Sequence, residues 1–394
     1  MGTIVAIPLL EPRLPMEPSH PLTLTEHFAA LDDPRVERTK LHPLLSIVVI
    51  AIAAVIAGAE SWDTIEQFGE AKAAWFATFL DLPHGIPSHD TFNRVFAALD
   101  PRQFRSCFLA WMQAVAQALP AQVIALDGKT VRGSYDRGHG TQALHLVSAW
   151  AAANRLVLAQ AKVDDKSNEI TALPGLLSQL TLAGCVVTID AMGCQREIAQ
   201  QILDQGGDYV LALKANQETL HQDVQLSFAL AQQDDQAPAP PDRTQTVDKG
   251  HGRIETRRAW VIGDPATLTW VQERHAWPGL QALGWVQAER RIGTEHAVED
   301  RYYLLNSPLP ASTFLDAVRG HWGIENRVHW VLDVTFHEDQ SRIRQGYAAE
   351  NFAVLRHIAL NLLQRQQTKR LSVKAKRLQA GWDTDYLLRV LHAI

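Results

Sequence analysis

Cysteine is scarce: Cys107, Cys185 and Cys194 are the three in 394 residues. An odd number with no C-x-x-C pair excludes a disulfide framework and a zinc knuckle, and predicts buried, reduced thiols. No apolar run reaches the roughly 20 residues that a membrane-spanning helix needs. The longest candidate, Leu44 to Ala59, has 16 and is expected as a buried helix. The N-terminus lacks the basic region and apolar core of a secretory signal, carrying Glu11, Glu17 and several prolines instead. A cytoplasmic protein is the expectation. Positive charge is not in excess either, since the net charge is −6. Taken over the whole chain this argues against nucleic acid, whose binding requires Lys and Arg to replace counterions.

What is present describes a soluble globular chain, with 46% hydrophobic and 20% charged residues, long enough for two or three domains. The charge is unevenly spread. From Gln340 to Ile394 there are ten Lys or Arg against three Asp or Glu, a net +7 that leaves −13 on the first 339 residues. The chain therefore reads as an acidic body with a basic C-terminal arm, and an arm of this kind suits DNA phosphates.

Residues 1–120 read as helices joined by short turns. Ser88 precedes HDTFNRVFAAL, and Asp100 followed by Pro101 sets a capping acceptor before a proline at the first helical position. From Gln122 the pattern changes to short apolar runs: QVIALD, ALHLVSAW and RLVLAQAKV as strands, a helix over Ile170 to Leu180, CVVTID as a strand, REIAQQILDQ as a helix closed by Gly206 and Gly207, and YVLALK as a strand. The order is β, β, β, α, β, α, β, over residues 121–215. Residues 216–310 begin with the polar, Pro-rich DDQAPAPPDR loop and continue with GRIETRRAWVIG, LGWVQAERRI and EDRYYLLN, a β-rich insertion. Residues 311–394 return to helix and end in the basic arm.

Asp127 and Asp190 each end an apolar strand, where ligand sites of α/β sheets collect. A lone aspartate in that position is commonly a turn former or helix cap; the neighbouring residues favour more. Lys129 and Arg132 follow the first acid, cations suited to a phosphodiester, and Gln195 and Arg196 follow the second. Two carboxylates side by side repel unless a cation lies between them, and hard oxygen ligands suit magnesium or manganese.

ALDGKTVRGS, KSNEI, VVTIDAMGCQ, YVLALKANQ, KGHGRIETR and HWGIENRVHWVLDVTFHED, together with GIPSHDTFNRVF near the N-terminus, resemble in order the bacterial insertion-sequence transposases with an Asp, Asp, Glu triad, in the H-repeat-associated group. The resemblance implies an α/β fold with a ribonuclease-H-like mixed-sheet core, interrupted by the β-rich insertion and preceded by the all-helical N-terminal domain. It implies Asp127, Asp190 and Glu325 as catalytic residues and as ligands of two Mg2+ or Mn2+ ions. The 135 residues from Asp190 to Glu325, against 63 between the aspartates, leave room for the insertion. In the broader family a Tyr, an Arg and a Lys flank the Glu at seven before, four before and seven after; Val318, His321 and Leu332 stand there instead. Asp333, eight residues beyond Glu325 and about two helical turns along, competes for the third position, with Glu338 and Asp339 behind it.

DNA contacts are expected from Lys129, Arg132, Lys214, His251, Arg253 and Arg257, and from Lys369, Arg370, Lys374 and Lys376 in the arm. Trp322 and Trp330, eight apart around Glu325, read as core before base-stacking platforms, and His321 and His329 as packing residues first and phosphate contacts second. The implied activity is metal-dependent cleavage at element ends and strand transfer into double-stranded target DNA, by at least a dimer, in the bacterial cytoplasm and on the nucleoid when bound to DNA. The alternatives are a catalytically silent, transposase-derived DNA-binding protein and a metal-dependent nuclease that does not join.

Overall fold

The fold, taken from a computed structural model, is described for residues 24–117, 122–135, 142–164, 167–233, 240–250, 252–366 and 371–392. Six helices come first: α1 (Leu24–Phe28), α2 (Leu44–Ala57), α3 (Trp62–Ala71), α4 (Ala73–Phe76), α5 (His89–Ala98) and α6 (Pro101–Gln117). Helix α2 is apolar all round and almost wholly buried, as expected of a helix at the centre of a core. No single helix among the described residues is long and apolar enough to cross a membrane. Ser88 caps α5 by accepting from the Thr91 N–H. Asp100 accepts from the Arg102 N–H at 2.8 Å and so starts α6.

Five strands and two helices follow in the order read from the sequence: β1 (Val123–Val131), β2 (Leu144–Ala151), β3 (Leu156–Lys162), α7 (Glu169–Leu177), β4 (Val186–Ile189), α8 (Arg196–Asp204) and β5 (Asp208–Leu213). Next come α9 (Glu218–Gln233), β6 (Asp242–Gly250), β7 (Arg253–Ile262), α10 (Pro265–His275), β8 (Ala282–Ile292) and β9 (Glu295–Leu305). The β-rich stretch thus holds two helices and a strand, β6, that its apolar pattern does not announce. All nine strands form one mixed sheet in the order β3-β2-β1-β4-β5-β9-β8-β7-β6. The β6–β9 meander is an extension of the first five strands, joined by antiparallel pairing of β5 with β9.

Helix α11 (Ala311–Ile324) runs into a π-helical turn, Glu325–His329, and on into α12 (Trp330–Thr335). Its backbone comes down onto the sheet at Gly320 and Gly323, where a Cβ would meet Ala152 and Trp150 respectively. This segment lies along β1. His329 stands beside Asp127 and Asp333 beside Lys129; four helical residues rise about 6 Å and two strand residues about 6.6 Å, so the two elements stay in step. The chain closes with α13 (Ala348–Arg365), α14 (Val373–Trp382) and α15 (Thr384–Leu391). Helix α13 is buried against α2, α5 and α6. Its Asn361 side chain accepts from the Val157 N–H at 2.9 Å and donates to the Val157 carbonyl at 2.8 Å, which satisfies the outer edge of β3 and ties the helices to the sheet.

Candidate active site

Strands β1 and β4 are parallel neighbours, with Leu126 opposite Ile189. The next residue on each is an aspartate, so Asp127, in the middle of β1, and Asp190, directly after β4, stand side by side; β1 does not end at Asp127 as its apolar run suggests but continues to Val131, paired with β2. Both line a cavity of about 210 Å³ together with Glu325, Lys214, His321, Trp322 and Arg301. Asp190 Oδ1 accepts from the Met192 and Gly193 N–H groups at 3.1 and 3.3 Å, a turn that fixes this carboxylate. Asp127 Oδ1 accepts from the Gly128 N–H at 3.0 Å.

Negative charge accumulates here. Burial, and then the carboxylates of Asp190, Glu169 and Glu325, push the Asp127 carboxyl up to about 7 against the opposing Gly128 hydrogen bond. Two histidines line the same region in neutral form, both pushed down to about 4 by burial. His321 Nδ1 lies 3.1 Å from Thr188 Oγ1, and His329 Nδ1 lies 3.4 Å from Asp127 Oδ2. Among the described residues no three His, Cys, Asp or Glu side chains already converge as a closed metal cluster; the acids surround the cavity from a strand pair and a helix.

Glu169, within the KSNEI segment, carries more than its sequence pattern suggested. It approaches β1 at Gly128, so close that a Cβ there would lie 2.1 Å from its Oε1, and a larger residue would push the carboxylate aside. His145 Nε2 holds Glu169 Oε1 at 2.8 Å, and His145 Nδ1 in turn meets Thr130 Oγ1 at 2.7 Å. The signal for it was in the sequence, as the glycine directly after Asp127, but the partner is 41 residues away.

Several expected contacts need correction. The Lys129 ammonium does not face a phosphodiester site. It lies 2.7 Å from Asp333, 2.8 Å from Glu338 and 3.4 Å from Asp339. Burial pulls its pKa down, but Glu338 and Asp333 outweigh that and hold it above the ordinary lysine value. Asp333, Glu338 and Asp339, the competitors of Glu325, are thereby gathered on one lysine. Lys376 is buried and donates to the Leu363 and Gln366 carbonyls at 2.8 and 2.5 Å, where no phosphate reaches. Arg257, with 14% of its side chain exposed, is taken by Asp248 at 2.7 Å and by Glu255. Trp330 is no core residue, being 58% exposed, and Trp322 lines the cavity beneath the Arg301 guanidinium, 4.6 Å away.

Of the remaining cations, Arg132 is 83% exposed and 3.5 Å from Asp339, and Arg253 is 46% exposed and 3.1 Å from Glu255. Lys214 and Lys374 are exposed. His251, Lys369 and Arg370 lie outside the described residues. The three cysteines are free thiols, Cys185 and Cys194 buried and Cys107 half-buried.

Comparison with known proteins matches residues 118–362 to the family described as Transposase DDE domain, and residues 25–112 to the DDE_Tnp_1-associated family. The chain is 39% identical over 372 residues to the H repeat-associated putative transposase YhhI of Escherichia coli K12, covering 93% of this chain and 97% of that protein. The chain belongs to the DDE transposases, in the H-repeat-associated group. The transposase is also 40% identical to the putative protein YbfL of the same strain, again over 93% of this chain and 97% of that one. Among solved structures, a piggyBac transposase synaptic complex with hairpin DNA superposes on it with a TM-score of 0.44 at 9% identity, over 91% of this chain and 75% of that one. It is a DNA transposase of a class that depends on divalent metal.

Proposed function

We propose that Asp127, Asp190 and Glu325 hold two Mg2+ or Mn2+ ions, and that the site so formed cleaves DNA at the element ends and joins the freed ends to target DNA. The observation that carries this reading is the parallel register of Leu126 with Ile189, which sets the two aspartates side by side where their charges repel. The donor set fits hard divalent cations: all oxygens, in a cavity where burial and then the neighbouring carboxylates drive the Asp127 carboxyl up to about 7. Glu325 is the third donor because it opens onto that cavity, whereas Asp333, Glu338 and Asp339 turn to Lys129.

When bound, the ions supply activation of an attacking oxygen and neutralisation of a leaving one. The protein's own groups do the positioning. The Met192 and Gly193 N–H groups hold Asp190 Oδ1, which leaves Oδ2 as its donor oxygen. His321 and His329, neutral because of burial, flank the acids without adding a cation that would compete for them. Lys214, at the rim of the cavity, supplies a positive charge for a phosphate oxygen, and Arg132 and Arg253 are further exposed candidates.

We read residues 121–215 and 311–394 as a ribonuclease-H-like core, residues 216–310 as an insertion that lengthens its sheet, and residues 1–120 as a helical N-terminal domain. One chain offers one such cavity, so acting on two element ends calls for at least two copies on DNA. The test is cleavage of a labelled end duplex in Mg2+ or Mn2+. The parent is expected to nick and join; D127N and D190N are expected to bind the duplex, fold normally and cleave nothing. Cleavage without new junctions would favour a plain nuclease, and binding without cleavage by the parent a silent DNA-binding protein.

A further inference from the structure

Two exposed guanidinium groups, Arg155 and Arg327, lie about the C-terminal end of α13, whose Asn361 and Gln364 side chains bond Val157 and the Arg327 carbonyl, and among the described residues no ion pair joins either arginine to a carboxylate. Arg327 lies in the π-helical turn that begins at Glu325, and Arg155 ends the turn joining β2 to β3. That turn is brought under α11 where Gly320 meets Ala152. The two are near enough to repel: Arg327 is held below the ordinary arginine value first by partial burial and then by Arg155, and Lys376 likewise by burial and then Arg155. Lys376 closes the end of α13, and Gln364 of the same helix donates to the Arg327 carbonyl at 3.3 Å. The β2–β3 turn, the π turn, the end of α13 and the start of α14 therefore converge, and α14 adds the exposed Lys374.

Several arginines are matched, as in Arg105 with Glu350, Arg258 with Glu289 and Arg319 with Asp248; Arg155 and Arg327 are not. Unmatched like charges held together cost stability. Arg155 adds a second cost, because its φ of 58° lies in the left-handed region, which glycine adopts freely and a long side chain does not.

We propose that Arg155 and Arg327, with Lys374, form a docking surface for the phosphate backbone of duplex DNA running past Glu325. The two guanidinium groups are positive and exposed, complementary to a polyanion and indifferent to base sequence. The inference rests on the reading of the Glu325 cavity as the reaction site.

The test uses the full chain with two duplexes of equal length, one carrying an element end and one scrambled, and measures affinity by fluorescence anisotropy over a range of salt. Arg155→Gly and Arg327→Gln are each expected to lower the slope of log affinity against log salt by about 0.9, the value for one phosphate contact, and to weaken both duplexes alike. Arg155→Gly also relieves the backbone, so its melting temperature should hold or rise while its affinity falls, a combination that a structural role does not produce. An unchanged slope in both folded variants would overturn the proposal, as would a loss confined to the element-end duplex. D127N separates this result from the reading it rests on. If D127N cleaves like the parent, the cavity has been misread, whatever the arginine variants do.

Discussion

Lys129 Nζ lies 2.8 Å from Glu338 Oε2, across 209 positions of sequence, and the glutamate is 1% exposed. Glu338 Oε1 in turn faces the buried Arg356 at 3.7 Å. The strand that carries Asp127 is therefore clamped to the C-terminal helices by buried, mutually compensating charges. Removing one member leaves the others without compensation, which costs about 3–5 kcal/mol for a buried pair. Lys129→Met is expected to lose that much in urea denaturation at pH 7, while the folded fraction keeps the parental salt dependence of DNA binding. A loss under about 1 kcal/mol would mean that the clamp is not structural.

The acid cavity makes stability depend on pH and on cations together. The Asp127 carboxyl titrates near 7 in the folded protein and near 4 when unfolded, so the folded state holds the proton more tightly. Its contribution is present below the unfolded value and is lost as the pH rises to about 7. Without divalent cations, D127N should therefore melt higher than the parent at pH 8, and the gap should close near pH 5. Adding Mg2+ or Ca2+ should raise the parent's melting temperature at pH 8 and leave D127N nearly unmoved. An equal cation response in both proteins would count against Asp127 as a ligand.

Glu325 and Asp333 should fail in different ways. Glu325 is exposed at the cavity, so Glu325→Gln is expected to abolish end cleavage with an unchanged melting temperature. Asp333 serves Lys129, so Asp333→Asn should retain cleavage and lose about 1–2 kcal/mol of stability. Parallel gel assays and thermal scans decide it; the reverse pattern would move the third donor to Asp333.

The basic arm divides by burial. Lys376 is 8% exposed and bound to two carbonyls, so Lys376→Glu buries an unpaired carboxylate against carbonyl oxygens and should abolish soluble folded protein. Lys374→Glu should fold like the parent and flatten the salt dependence of binding. A folded Lys376→Glu protein with a flattened slope would return that lysine to the DNA surface.

The parts legible in the sequence are those set by local pattern. The order from β1 to β5, the buried α2, and the caps at Ser88 and Asp100 each need only a few neighbouring residues. The two aspartates were legible because each ends an apolar run, although β1 itself continues past Asp127 to Val131. Strand β6, DRTQTVDKG, escaped because it is a mostly exposed edge strand without apolar alternation. Lys129 was misread because its position beside Asp127 looks like a phosphate contact, while its actual partners lie more than two hundred residues away. The spacing of Asp333 from Glu325 assumed an unbroken α-helix. The π turn at Glu325–His329 breaks that register, and Asp333 goes to Lys129 while Glu325 faces the cavity. Trp330 was assigned to the core on the same helical spacing, and its exposure was equally invisible there.

The pairing of β5 with β9 governs how this protein can be made. A ribosome that has delivered β5 has still to synthesise roughly 90 residues before β9 can join it, some 5 to 20 s at ordinary elongation rates. Through that interval the nascent sheet ends in the open backbone edge of β5, Asp208–Leu213, which any other extended chain can occupy. Translation speed across the intervening codons, and chaperones that shield strand edges, thus bear directly on the yield of active enzyme. A message cut within that stretch yields a chain whose β5 edge never acquires its own partner.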